Sequence, residues 1–153
     1  MKKRYFPIAA DAPPPLSVTV QRRVRFEEVD AIGYVWHGRY ASYFEDARVA
    51  LGARYGLGYM DFYRRGVIAP LKQLHVEYHR PLRFEDDFTI EARWHYSEAA
   101  RLNYEFIIRD STAAAVATGY SVQMMLDGDN DFLVVPPPFY QQFLRRWRAG
   151  ELQ

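Results

Sequence analysis

The chain has 153 residues, a length that suits one domain with a hydrophobic core and is short for two. Its formal net charge is +1 at pH 7, so the composition gives no reason to expect nucleic acid or an anionic membrane as the main partner. Cysteine is absent, which excludes disulfides, thiolate metal sites and a cysteine nucleophile, and is consistent with a cytoplasmic protein. No apolar run approaches the roughly 20 residues of a membrane-spanning helix.

The first 16 residues predict an extension outside the domain. Pro13, Pro14 and Pro15 disfavour a regular helix or an inner strand in this segment. The expected organisation is therefore a flexible Pro-rich arm over residues 1–16, followed by a single domain over residues 17–153.

Hydrophobic periodicity predicts a strand and then a helix at the start of this domain. Alternating residues predict a strand over Val18–Val29, with Val24 and Phe26 on its buried face. The segment Gly38–Leu51 has apolar residues at helical spacing, which predicts a long helix with one buried face. A short helical turn is expected over Tyr59–Arg65.

From Leu71 the period changes to two. Four alternating runs separated by polar turns predict an antiparallel meander. These runs cover Leu71–Arg80, Phe88–Tyr96, Leu102–Ile108 and Val116–Leu126. A short amphipathic helix is expected over Phe139–Trp147. One long helix covered by about five antiparallel strands is an α+β domain.

An acid, a histidine and a predicted helix start lie within nine positions after the first strand. Asp30 could act on water as a general base or attack a carbonyl as a nucleophile. An aspartate that merely shapes a turn explains the same position, and on spacing alone is the more frequent case. At His37 and Gly38, unpaired helix N–H groups could polarise a carbonyl. The simpler roles are a capping or surface imidazole for His37 and a plain N-cap for Gly38.

Two acids, Glu45 and Asp46, lie about two turns into the predicted helix. Taken alone, each is most simply part of a solvated face, with Arg48 and Arg39 as partners at helical spacing.

Two histidines, His75 and His79, share one face of a predicted strand, with Glu77 between them. They could form part of a metal site. A half-exposed polar face explains the same pattern, so no metal is expected.

The stretch VRFEEVDAIGYVWHGRYASYFEDAR, residues 24–48, resembles the hot-dog-fold acyl-CoA thioesterases. It is most similar to the 4-hydroxybenzoyl-CoA thioesterase-like group, which includes the Tol–Pal-associated thioesterases. The matching positions are Asp30, Gly33, Val35, His37 and Tyr40. A second match lies in residues 74–92, where a V-x-Y-x-R-P run precedes an acid-rich turn. Together with the element order, the resemblance covers most of the chain from Val18 to Leu126.

The resemblance implies a hot-dog fold, in which an antiparallel sheet wraps a long helix. Such domains pair into dimers with active sites at the subunit interface, and dimers commonly pair again, so a homo-oligomer is expected, either a dimer or a homotetramer. No metal or dissociable cofactor is implied, because coenzyme A enters as part of the substrate.

The resemblance also implies roles for individual residues. Asp30 would carry the chemistry as base or nucleophile, which reverses the preference for a simple turn residue. The N–H at His37, next to Gly38, would polarise the thioester carbonyl. Substrate-binding positions would be Gly33, Tyr40, Arg83 and Arg101, the two arginines lying near the phosphates of coenzyme A.

A second hot-dog group instead keeps its acid on the helix, eight residues after the first glycine of an H-G-G start. Here Asp46 has that spacing from Gly38 and Glu45 is adjacent, but Arg39 replaces the second glycine. The helix acids therefore rank behind Asp30.

The predicted reaction is hydrolysis of an acyl-CoA to a carboxylic acid and free coenzyme A. The alternatives are a thioesterase acting on acyl chains held by a carrier protein, and a hot-dog module that binds acyl ligands without hydrolysing them.

Overall fold

The computed structural model describes residues 4–152. Five antiparallel strands form one sheet with the spatial order β1-β3-β4-β5-β2. The strands are β1 Leu16–Arg23, β2 Leu71–Tyr78, β3 Asp87–His95, β4 Arg101–Asp110 and β5 Ala115–Met124. The helices are α1 Tyr40–Tyr55, α2 Tyr59–Arg64 and α3 Pro138–Arg148. This confirms the predicted α+β class, with β1 and β2 at the two edges of the sheet.

The first strand is shorter than its alternating pattern predicts. It ends at Arg23, which pairs with Asp87 at the start of β3, and only Val24 bonds beyond it, to the turn residues Glu85 and Asp86. A 3-10 turn follows over Phe26–Glu28. The expectation that Phe26 is buried is wrong: its side chain is 78% exposed.

The long helix extends four residues beyond its predicted end at Leu51. A 3-10 turn over His37–Arg39 leads directly into α1, which continues through Gly52 to Tyr55. The helix continues through Gly52, where glycine leaves room for the returning chain: a Cβ there would lie 2.8 Å from the Cα atom of Gly58.

Helix α1 crosses the inner face of the sheet in close contact with it. The ring of Phe44 stacks on that of Phe106, with centroids 4.5 Å apart. Gly119 of β5 permits this approach, since a Cβ there would lie 2.8 Å from the Phe44 ring. The helix-facing side of β5 therefore carries a glycine at this position, whereas Val116 and Val122 lie on its other side. Both valines are also buried.

Strand β2 leaves apolar side chains uncovered along an edge of the sheet. Leu71, Leu74 and Tyr78 are 52%, 44% and 52% exposed. An edge strand of this kind offers unpaired backbone groups to another strand.

Residues 4–15 contain neither helix nor strand, and part of this segment contacts the outer face of the sheet. Phe6 is buried against the rings of Tyr120 and His95, with centroids 5.6 and 5.4 Å away. The indole N–H of Trp147 donates to the carbonyl of Pro14 over 2.9 Å. The predicted division of the chain after residue 16 stays a prediction.

In the described part of the chain, no helix combines the length and the apolar character needed to cross a membrane.

Candidate active site

Asp30 shapes a tight turn through both its backbone and its side chain. Its N–H donates to the carbonyl of Tyr34 over 2.7 Å, and its own carbonyl accepts from the N–H of Gly33 over 3.0 Å. Carboxylate oxygen Oδ1 accepts from the N–H groups of Ile32 and Tyr34 over 3.0 and 3.2 Å. Gly33 completes the turn at φ +83°, a conformation that favours glycine. Asp30 is solvent-exposed in the single chain, and no donor among residues 4–152 binds its second carboxylate oxygen.

The start of α1 follows this turn at the same end of the sheet. A bridge between Val29 and Val35 closes the turn. The N–H of Val35 donates to the carbonyl of Leu82 over 2.8 Å, and that of Trp36 donates to the carbonyl of Glu28 over 2.9 Å. These bonds fix the segment that leads into the helix.

The N–H groups of His37 and Gly38 are the first of the helix. Across residues 4–152 neither of them has a hydrogen-bond acceptor, as expected at a helix N-terminus. The indole ring of Trp36 lies over Gly38, so closely that a Cβ on residue 38 would overlap it. The Tyr78 hydroxyl donates to the carbonyl of His37 over 2.8 Å. The helix start thus presents two free donors beside an exposed aromatic ring.

Two buried tyrosines, Tyr40 and Tyr43, pack in the first turn of α1. Tyr40 is only 3% exposed and meets Tyr78 edge-on, with ring centroids 5.0 Å apart. Burial raises the pKa of Tyr40. Burial raises the pKa of Tyr43 further, helped by the negative charge of nearby Glu28. Both phenols therefore stay neutral at physiological pH. Within this chain Tyr40 packs under the site and contributes little accessible surface to it.

The two arginines predicted near coenzyme A lie far apart. Arg83 bridges to Tyr34 in the Asp30 turn, with its guanidinium 5.3 Å from the centre of the tyrosine ring. Arg101 begins β4, whose other end, Asp110, pairs with the start of β3 near the turn. A strand of ten residues spans roughly 30 Å. A single chain therefore brings Arg83, but not Arg101, to Asp30.

The two acids of α1, Glu45 and Asp46, form ion pairs with different partners. Glu45 forms an ion pair with Arg48, as helical spacing predicts. Asp46 instead pairs with Arg22 of β1 over 3.1 Å. Arg39, the other expected partner, donates to the backbone carbonyl of Glu27 over 2.9 Å. Of the two acids, only Glu45 points along the side of the helix that carries Arg48.

That side of α1 borders a cavity of about 370 Å³. Helices α1 and α2, the loop between them, and strands β4 and β5 are among the elements that line it. Arg48, Tyr104 and Gln123 are among the residues that line it. Arg48 donates to the side-chain oxygen of Gln123 over 2.8 Å. The sequence motif gives no signal for this cavity, because its wall comes from elements far apart in the chain.

His75 of β2 and His79, which directly follows the strand, each contact a neighbouring side chain. His75 Nε2 lies 3.0 Å from Glu77 Oε1, and His79 Nε2 lies 2.8 Å from the hydroxyl of Thr118. Within residues 4–152, no three histidine or acidic side chains are grouped as a metal site requires.

Comparison with known proteins defines the class of this chain. It belongs to the thioesterase-like superfamily, whose family model matches residues 24–146. The chain is 33% identical over 100 residues to a putative esterase of Aquifex aeolicus, covering 63% of this chain and 77% of that protein. It is 34% identical over 61 residues to the putative acyl-CoA thioesterase YneP of Bacillus subtilis, covering 40% of this chain and 44% of that protein.

A solved structure shows the same fold. The fold is similar to that of a DHNA-CoA thioesterase from Staphylococcus aureus, with a TM-score of 0.76 and 22% identity over 89% of this chain and 92% of that one. The predicted hot-dog fold is confirmed. The chain is a thioester hydrolase of this superfamily.

Proposed function

We propose that this protein hydrolyses an acyl-CoA thioester, using Asp30 together with the start of α1. The observation that carries the proposal is the pairing of an acid held in a tight turn with two free N–H groups at the same end of the sheet. The name of the Bacillus subtilis relative supports coenzyme A as the thiol carrier.

The chemistry follows from these groups. The carboxylate of Asp30 takes a proton from water as the water oxygen attacks the thioester carbonyl, or attacks that carbon itself to give an anhydride that water then opens. The N–H groups of His37 and Gly38 stabilise the negative oxygen of the tetrahedral intermediate, where one such donor contributes about 3–4 kcal/mol. The thiolate of coenzyme A leaves and takes up a proton, and the carboxylic acid is released.

A second copy of the chain is proposed to complete the site. Strand β2 is an exposed edge with half-exposed Leu71, Leu74 and Tyr78, and a two-fold axis would pair it antiparallel with itself. Leu71 would then lie beside Tyr78 of the second copy. Leu71 pairs with Gln123 at the cavity, and Tyr78 binds the His37 carbonyl.

This pairing would bring the helix start of one copy to the cavity of the other. The catalytic groups and the acyl cavity of each site would then come from different subunits. A homodimer is thus the smallest proposed active unit. Its further pairing into a homotetramer and its cytoplasmic location stay predictions.

The test is release of free thiol from short, long and aromatic acyl-CoAs by the wild type, Asp30→Asn and Asp46→Asn. Asparagine keeps the Oδ1 acceptor that Ile32 and Tyr34 use, so the turn is preserved while the basic carboxylate is lost. We expect Asp30→Asn to lower kcat about 100-fold or more. The matched control Asp46→Asn should stay within about threefold, because its carboxylate pairs with Arg22 on the other side of the helix.

Near wild-type turnover by Asp30→Asn would refute the role of Asp30. A loss confined to Asp46→Asn would transfer the chemistry to the helix. If the wild type releases no thiol from any acyl-CoA, coenzyme A is not the carrier, and acyl chains on a carrier protein become the next substrate to assay.

A further inference from the structure

Tyr78 links the exposed edge strand β2 to the start of α1. It is the tyrosine of the V-x-Y-x-R-P run and the last residue of β2, where it pairs with Ala117 of β5. Its hydroxyl donates to the carbonyl of His37 over 2.8 Å, across a separation of 41 positions in the chain. Nothing in the proposed hydrolysis uses this bond, although the carbonyl lies between the two N–H groups proposed to stabilise the oxyanion.

The His37 carbonyl and the Gly38 N–H belong to one peptide group. A peptide group is planar and trans, so its N–H points away from its carbonyl oxygen. A donor that binds the carbonyl therefore fixes the direction in which the Gly38 N–H points. Hydrogen bonds in such a chain also polarise one another, by about 10–30% per bond. The bond from Tyr78 thus makes the Gly38 N–H a stronger donor.

Two ring contacts hold this arrangement in one orientation. The ring of Tyr78 meets buried Tyr40 edge-on, with centroids 5.0 Å apart and ring planes at 88°, which directs the hydroxyl. The indole of Trp36 lies against Gly38. Glycine has the widest backbone freedom of any residue, so contacts from outside the segment are needed to fix the peptide. An oxyanion donor is most effective when its direction is set before the reaction.

We propose that Tyr78 is a positioning residue for the hydrolysis, whose hydroxyl orients and polarises the Gly38 N–H that stabilises the oxyanion. This role rests on the proposed acyl-CoA hydrolysis and deepens it, because it gives β2 a part in the reaction as well as in subunit pairing. Tyr78 acts through the backbone and contributes no atom to the reacting groups. Loss of its hydroxyl should therefore weaken transition-state stabilisation and leave substrate binding unchanged.

The experiment compares the wild type with Tyr78→Phe and Tyr55→Phe. Phenylalanine at position 78 keeps the ring that contacts Tyr40 and removes only the hydroxyl. Tyr55 is the matched control, because its hydroxyl also donates to a backbone carbonyl, that of Ser17 over 3.5 Å, at the other end of α1. Free-thiol release is measured with acetyl-CoA, octanoyl-CoA and benzoyl-CoA, and analytical ultracentrifugation gives the oligomeric state of each protein.

We expect Tyr78→Phe to lower kcat about tenfold at unchanged KM for the ester that the wild type hydrolyses fastest. This loss is smaller than the roughly 100- to 1,000-fold effect of removing an oxyanion donor, because the N–H itself is still present. Tyr55→Phe should match the wild type in both constants. A rise in KM at unchanged kcat, equal losses in the two variants, or a loss that occurs only with a change of oligomeric state would overturn the proposal.

The carbonyl stretch of the bound thioester reports polarisation directly. Difference infrared spectra are recorded with the same esters, isotopically labelled at the carbonyl, bound to Asp30→Asn and to the double variant Asp30→Asn/Tyr78→Phe. We expect the band to lie at lower wavenumber in Asp30→Asn than for the free ester, and to return toward the free-ester position in the double variant. An identical band position in the two proteins would overturn the proposal.

Failure of the proposed hydrolysis gives a different result, namely no thiol release from any of the three esters by the wild type. The infrared comparison is then made between the wild type and Tyr78→Phe. A carbonyl shift that is present in the wild type and reduced in Tyr78→Phe would support the polarising role of Tyr78. The same band position in both proteins would refute it.

Discussion

The contact between Trp36 and Gly38 allows a quantitative test of how the helix start is built. In Gly38→Ala, the new methyl group would overlap the indole, with even the third-nearest ring atom only 2.7 Å away. Because these atoms are the outer edge of a half-exposed indole that can turn partly aside, the overlap should cost about 1 kcal/mol, the lower end of the range for overpacked cores. The backbone of Gly38 is not in the left-handed region, so the same change also gains about 0.4–1 kcal/mol from the reduced freedom of the unfolded chain. The net expectation is a free energy of unfolding that is unchanged or lower by up to about 0.6 kcal/mol.

Removal of the indole should reverse the sign. In a Trp36→Ala background the overlap is gone, and Gly38→Ala should stabilise by about 0.4–1 kcal/mol. The coupling energy between the two positions, from urea unfolding of the four proteins in the cycle, should be about 1 kcal/mol. The control is Gly128→Ala, because a Cβ there meets nothing within 4 Å. An equal effect of Gly38→Ala in both backgrounds would refute the role assigned to Trp36.

Two further predictions concern the exposed edge strand β2 and the buried phenol of Tyr43. If the proposed homodimer forms through β2, Leu74→Lys should convert it to monomers in analytical ultracentrifugation and lower kcat/KM at least tenfold, since it charges the exposed β2 edge. Val134→Lys, at a 91% exposed loop position, should do neither, and a fully active monomeric Leu74→Lys would contradict the shared site. Because the folded pKa of Tyr43 is raised, the unfolded chain loses that proton first, and stability should fall as pH rises above about 10, by up to about 1.4 kcal/mol per pH unit for each such tyrosine. Urea unfolding at pH 9, 10 and 11 should show a shallower fall in Tyr43→Phe than in exposed Tyr59→Phe, and identical slopes would contradict the burial argument.

Local sequence pattern predicts the elements whose cause is local. The long helix, the four later strands and the short C-terminal helix follow from hydrophobic period and turn residues. The Asp30 turn is also predictable from the sequence, because an aspartate followed three residues later by a glycine is typical of a turn. The motif thus locates the part of the site that lies in one continuous segment.

Features formed by segments far apart in the chain cannot be predicted from local sequence pattern. The first strand stops where β3 begins, more than 60 residues later. Gly119 marks the helix-facing side of β5 because Phe44 comes close to it, whereas alternation alone favours the face with the larger residues. The cavity likewise needs Arg48, Tyr104 and Gln123 from three separate elements. Periodicity cannot show that these side chains meet.

The hydrogen bonds of the Asp30 turn have an evolutionary consequence under the proposed mechanism. The turn uses only oxygen Oδ1 of the side chain, which an amide supplies equally well. A change from an aspartate codon to an asparagine codon requires one nucleotide, and would remove the basic carboxylate without altering the shape of the loop. Descendants of such a protein could lose turnover in one step while keeping the cavity and the subunit edge. Under this mechanism, one nucleotide change can therefore separate an enzyme from a protein that binds the same ligand without hydrolysing it.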